Sequence, residues 1–144
     1  MKYYIATSLS RRESHHIVRN GLNRLGHEIS YDWTLHGSGK SVSKDRLREF
    51  AILDLGGISQ ADFVVVLLPG GKGAHLELGF SIANGKKIFL HSEDPTLFEL
   101  GPETNVFYHH PDVTPVFCPL AELADTVHAW AMGLATSLVN PQPV

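Results

Sequence analysis

Apolar residues along this chain keep two rhythms, and the alternation between them carries the architecture. Short unbroken runs occur at KYYIAT (2–7), FVVVLL (63–68) and KKIFLH (86–91). Runs of that length, rich in β-branched and aromatic residues, are strands; the unbroken run at 63–68 marks a strand buried on both faces, as in a parallel sheet. HEISYDW (27–33) reads as another strand and residues 116–118 as a short fifth. Between them the apolar positions recur at helical spacing: Ile17, Leu22 and Leu25, then Leu47, Ala51 and Ile58, then residues 74–83, and finally 120 to about 138. Punctuation agrees with these limits. Ser8, Leu9 and Ser10 are placed to cap the first helix, Gly26 closes it, and Gly85 closes the third. Gly56 and Gly57 are expected to loosen the last turn of the second helix. Residues 34–43 form a loop, 92–111 with three prolines read as irregular, and NPQPV is a loose tail.

Strand and helix alternating through all 144 residues predict a single α/β domain over 1–144. The expected fold is a three-layer, doubly wound, parallel five-stranded sheet with right-handed crossovers and the flavodoxin-like order 2-1-3-4-5. In such a sheet the ligand crevice opens beyond the carboxyl ends of the first and third strands. That placement sets residues 7–10 beside residues 70–77.

Composition narrows the choice of ligand. The apolar fraction of 43% and charged fraction of 19% are those of an ordinary globular protein, and the net charge of −3 makes a nucleic-acid polymer an unexpected partner. A small anionic ligand stays open. No run approaches a membrane span, so no membrane partner is expected. The apolar stretch 3–6 is too short for a secretory signal, and Cys118 is the only cysteine, so the cytoplasm is the expected compartment. Nine histidines show no H-E-x-x-H spacing, and neither a metal nor a cofactor is expected.

Several residues are candidates for chemistry. The turn PGGKG (69–73) frees backbone amides to face a ligand at the start of a helix, with Gly71 and Gly73 on the ligand side. Glu77 follows about one turn later, either an exposed glutamate or a nucleophile kept ionised by the helix dipole. Asp54 interrupts the stripe Leu47, Ala51, Ile58 at a slot where an apolar residue belongs, and a carboxylate there is paired or used. Asp62, entering the central strand, reads as a structural ligand of turn amides. Tyr4 is a core aromatic or a site residue on the first strand, and His75 faces either the ligand or the neighbouring loop. His109 and His110 read as solvated or interface residues. HGSGKS (36–41) has the end of a phosphate-binding P-loop, but Thr34 stands where the pattern needs its first glycine. It reads as a loop over the site, with Tyr31, Asp32 and Trp33 at its base.

KYYIATSLS, DLGGISQAD and VVVLLPGGKGAHLELGFSIANGKKIFL together resemble the nucleoside 2-deoxyribosyltransferase family, which includes 2′-deoxynucleoside 5′-phosphate N-hydrolases. The resemblance covers most of residues 2–90. It implies that Glu77 is the nucleophile attacking C1′ of the sugar, that Asp54 acts around the base, and that Tyr4 orients the nucleophile. It implies further that Ser8 helps hold a 5′-phosphate, and that the protein is a homo-oligomer with a small nucleoside or nucleotide as its partner. Asn105 is a loose counterpart of the residue that a neighbouring subunit lends to each site. Where the transferases carry an aspartate six residues before the nucleophile, this chain has Gly71, so transfer to a base and hydrolysis both stay open. Two other readings are a non-catalytic nucleotide sensor using the same crevice and a phosphohydrolase using Gly39, Lys40 and Ser41.

Overall fold

A computed structural model describes residues 1–36 and 42–134. The P-loop reading rests on Gly39, Lys40 and Ser41, which lie outside the described residues, as does the tail. The elements are β1 (Lys2–Ala6), α1 (Arg12–Arg24), β2 (Glu28–Ile29), α2 (Lys44–Gln60), β3 (Phe63–Leu67), α3 (Lys72–Ala83), β4 (Lys87–Ser92), β5 (Val113–Phe117) and α4 (Leu120–Ala131). All five strands join one parallel sheet in the order β2-β1-β3-β4-β5, as the sequence predicts.

Period-two alternation divides the apolar strands between two cores. Tyr3, Ile5, Val65, Leu67 and Phe89 face α1 and α4, where Val18, Leu22, Leu123 and Val127 meet them. Tyr4, Ala6, Val64, Val66, Ile88 and Leu90 face α2 and α3, where Ile58 and Leu78 close the layer. Each fully buried aliphatic side chain contributes roughly 1.5–3 kcal/mol relative to exposure. The pleat therefore sends two adjacent tyrosines to opposite layers. Tyr3 donates its hydroxyl to Asn23 Oδ1 at 2.6 Å in the first, and Tyr4 enters the second.

Several local expectations are corrected. The strand predicted over 27–33 pairs with β1 only at Glu28 and Ile29. Asp32 then accepts hydrogen bonds from Thr34 N and Oγ1, turning the chain into a 3-10 turn at Trp33–Leu35. On α1 the core face is His15, Val18 and Leu22, while Ile17 is exposed. Ser8 caps nothing with its side chain; its Oγ lies 3.0 Å from Ser10 Oγ. α2 runs unbroken through Gly56 and Gly57, because Gly57 serves close packing: a Cβ there would sit 2.6 Å from Tyr31 Cβ and 3.0 Å from the Tyr4 ring. β5 begins earlier than predicted and carries Pro115, which an edge strand tolerates. α4 stops at Ala131, with Gly133 at φ 69° just beyond it. Segment 92–111 holds two 3-10 turns, Pro95–Phe98 and Val106–His109, which bury Phe98 and Tyr108 in the α2–α3 core. Asp62 takes the structural role expected of it, accepting from Lys2 N at 2.7 Å.

Candidate active site

A cleft of about 290 Å³ opens at the carboxyl ends of β1 and β3, where the strand order reverses. Thr7, Ser8 and Leu9 form one wall, Trp33 and His36 another, and Gly71, Gly73 and Ala74 a third, with Asp54 and Glu77 also lining it. Three elements deliver the ionisable groups. β1 brings Tyr4 from below, α2 brings Asp54, and α3 brings Glu77, the sixth residue of its helix.

Among the described carboxyl groups, Glu77 is moved far from its ordinary value. Burial, the dominant cause, pushes its carboxyl up to about 8; the Tyr4 hydroxyl pulls it down and the nearby Asp54 charge adds to the rise. The expectation that the helix dipole keeps Glu77 ionised is thus corrected. The dipole fades beyond the first turn, and at this depth desolvation outweighs it. Tyr4 Oη and Glu77 Oε2 are both buried without a hydrogen-bond partner of good geometry, although the Tyr4 hydroxyl is near enough to the Glu77 carboxyl to act on it. His15, His36, His91 and Arg12 also carry buried atoms without a partner; those of Tyr4 and Glu77 stand out because they meet beside the cleft. Burial, then the carboxylates of Glu77 and Asp54, raise Tyr4 far above the ordinary phenol range, so it stays a hydroxyl.

Asp54 is half-buried, and desolvation raises it while His36 opposes the rise. His36 Nε2 lies 3.3 Å from Asp54 Oδ1. Its ring stacks on Phe50 at 3.8 Å between centroids and 8° between planes, and the Tyr31 ring lies 5.9 Å from it. Sequence reasoning missed His36 as a partner of Asp54, because the only signal at that position belonged to the glycine-rich loop that follows. Phe50, four residues before Asp54 on α2, is the residue that fixes it.

The other predicted residues separate. Ser8, Gly71 and Gly73 line the cleft. His75 does not: its Nδ1 is 2.8 Å from Gly71 O and its Nε2 2.7 Å from the Tyr108 hydroxyl. Asn105 caps its own turn, accepting from Phe107 N at 2.9 Å. The stripe on α2 holds only in part. Ile58 is buried and Asp54 reaches the cleft, but Leu47 and Ala51 are exposed with Leu55 and Leu76. Between α2 and α3, Ala51, Leu55 and Leu76 border an apolar groove of about 380 Å³ that reaches Asp54 and Glu77. Among the described residues, no three His, Cys, Asp or Glu side chains gather as a metal site, and no helix is long and apolar enough to cross a membrane.

No family model and no curated relative matches the sequence. Solved structures do. A CMP N-glycosidase from Clostridium botulinum superposes with a TM-score of 0.57 at 18% identity, over 88% of this chain and 98% of that one. A 2-deoxyribosyltransferase from Bacillus psychrosaccharolyticus superposes with a TM-score of 0.66 at 20% identity, over 87% of this chain and 91% of that one. The likeness read from the motifs is therefore matched in three dimensions: this chain has the fold of the nucleoside 2-deoxyribosyltransferases and nucleotide N-glycosidases.

Proposed function

We propose that the protein is an enzyme cleaving the N-glycosidic bond of a nucleoside or nucleoside 5′-monophosphate, with Glu77 as nucleophile. The observation that carries this reading is the buried Glu77 carboxyl, its Oε2 unpartnered, in a cleft shared with Asp54. The activities in the names of the two structural neighbours support it.

In the first step a Glu77 oxygen attacks C1′ as the C1′–N bond breaks, giving a glycosyl ester. The departing base takes a proton from Asp54, whose burial favours the protonated form. Tyr4 donates to the Glu77 oxygen that does not attack. In the second step Asp54, now ionised, accepts the proton of a water or of an acceptor base that attacks C1′, and Glu77 leaves as carboxylate. His36 holds Asp54 in place and tempers its proton affinity. Ser8 and the amides of the glycine turn are assigned to the 5′ end of the sugar. Gly71 leaves room beside Ser8, a Cβ there standing 3.7 Å from Ser8 Cβ, and supplies no carboxylate to hold an incoming base; hydrolysis is the favoured outcome.

The exposed Leu47, Leu55 and Leu76 and the groove beside Glu77 support a homo-oligomer, with a second copy covering this face. The test of function is a panel of deoxyribonucleosides, ribonucleosides and their 5′-monophosphates, with and without an acceptor base. Free base is expected from at least one class and none from Glu77→Ala. Saturable binding with no base released from any member would make the protein a sensor instead.

A further inference from the structure

We propose that His75 and Tyr108 act as a positioning pair that fixes the glycine turn at the mouth of the cleft; the consequence for substrate rests on the glycosidase reading above. Neither residue lines the cleft, yet the turn that they hold does.

The turn has no lock of its own. Gly71, the residue that caps α3, offers no side chain, and the space around Gly73 is open. His75 supplies what is missing. Its backbone N–H bonds Gly71 O at 3.2 Å in the ordinary helical way, and its ring Nδ1 reaches the same oxygen at 2.8 Å. A carbonyl only accepts, so Nδ1 carries the proton, and in the neutral imidazole Nε2 keeps a lone pair. The Tyr108 hydroxyl, 2.7 Å away, is then the donor to Nε2. Donation runs one way, from Tyr108 through the imidazole to Gly71, and each bond fixes the direction of the other.

Tyr108 is itself held. It is buried in the α2–α3 core, and its turn is capped by Asn105 and braced by a 2.9 Å bond between Thr104 Oγ1 and His109 Nε2. Segment 105–109 thus sets where the Gly71 carbonyl lies, and with it the direction of the first free amides of α3. A ligand group seated on those amides feels the pair without touching it. The expected signature is weaker substrate binding with little change in the chemical step, because Asp54 and Tyr4 lie on other elements and Glu77, further along α3, is held by the part of that helix that Leu78 and Ser81 bury.

The test uses the full-length protein and two variants, His75→Ala and Tyr108→Phe, with their double. Two-bond proton–nitrogen spectra of wild type should show His75 protonated on Nδ1, and Tyr108→Phe should redistribute that proton. Exchange of the amide at position 75, which bonds Gly71 O, should quicken in either variant while the midpoint of unfolding moves little. With a substrate from the panel, KM should rise about three- to tenfold in each single variant, the loss of one hydrogen bond, with kcat within about twofold. The double variant should be no worse than the worse single one. An Nε2-protonated His75 in wild type, unchanged exchange at position 75, or effects that multiply in the double variant would each overturn the pair. A chain that shows the Nδ1 proton and the exchange response but releases no base removes the glycosidase reading and keeps the pair.

Discussion

Replacing Glu77 by Gln is expected to remove activity and, at alkaline pH, to make the protein more stable. In the unfolded chain this carboxyl titrates near 4.5, and burial moves it to about 8 in the fold. The folded value lies above the unfolded one. The folded state therefore holds the proton more tightly, and the stability that Glu77 permits is complete below about pH 4.5 and lost as pH rises through about 8. Each pH unit in that window is worth about 1.4 kcal/mol. The full loss has a ceiling of roughly 5 kcal/mol, which water entering the open side of the cleft reduces to roughly 2–3 kcal/mol. Gln keeps the shape and cannot ionise, so it escapes this loss. Urea unfolding of wild type and Glu77→Gln at pH 5, 7 and 9 measures the difference directly, and other titrating groups cancel in the comparison. The variant should match wild type within about 1 kcal/mol at pH 5 and exceed it by roughly 2–3 kcal/mol at pH 9. A gap that does not widen between pH 5 and 9, or a variant less stable at pH 9, would refute the reasoning that Glu77 sits in a dry site.

The same titration governs turnover: if the ionised carboxylate attacks, kcat/KM should fall about tenfold per pH unit below about 8, read from a pH–rate profile of the cleaved substrate. Tyr4→Phe removes the hydroxyl that pulls Glu77 down, so this acid limb should move to higher pH; a limb that stays put would separate Tyr4 from the nucleophile. Gly57→Ala forces a Cβ against Tyr31 and the Tyr4 ring, and should cost about 1–3 kcal/mol in denaturant unfolding together with much of the activity. Leu76→Glu puts a charge on the exposed α2–α3 face. Sedimentation should show the wild-type oligomer giving way to monomer, whereas a wild type that is monomeric at working concentration would remove the proposed assembly.

The architecture was legible because its strands are so plainly patterned. Phe63–Leu67 is apolar at every position since a central parallel strand buries both faces, and only one fold class offers such a strand between helices. Glu77, Asp54 and Tyr4 were legible for a related reason: each is an ionisable or polar group on an element that the pattern already placed. What escaped depends on contacts between distant segments. Asp32 ends β2 through bonds to Thr34, which a propensity reading of HEISYDW does not contain. Gly57 looked like a helix weakener, and its purpose appears only once the Tyr4 ring lies against it. Leu47 and Ala51 fit the core-facing period but lie on a face that nothing among the described residues covers. His36 belongs to a loop, and it becomes a partner of Asp54 only because Phe50 gives its ring a surface to stack on.

Those missed contacts bear on the chemistry more than on the fold. A carboxyl buried as deeply as Glu77 is ineffective at neutral pH unless something restores its charge, and among the described residues Tyr4 is the group that pulls in that direction. A sugar carbon that acquires positive character in the transition state is a second one, supplied only while the bond is breaking. The dry site then favours the ionised Glu77 most strongly at the moment when it must act, and little before. Asp54 works in the opposite sense. His36 and partial exposure hold its rise in check, which suits the proposed part of a group that gives a proton to the departing base and takes one back. Two carboxyls in one cleft are thus set apart by depth and by a single histidine, and the element that divides their roles is the loop entry at His36 that stacks on Phe50.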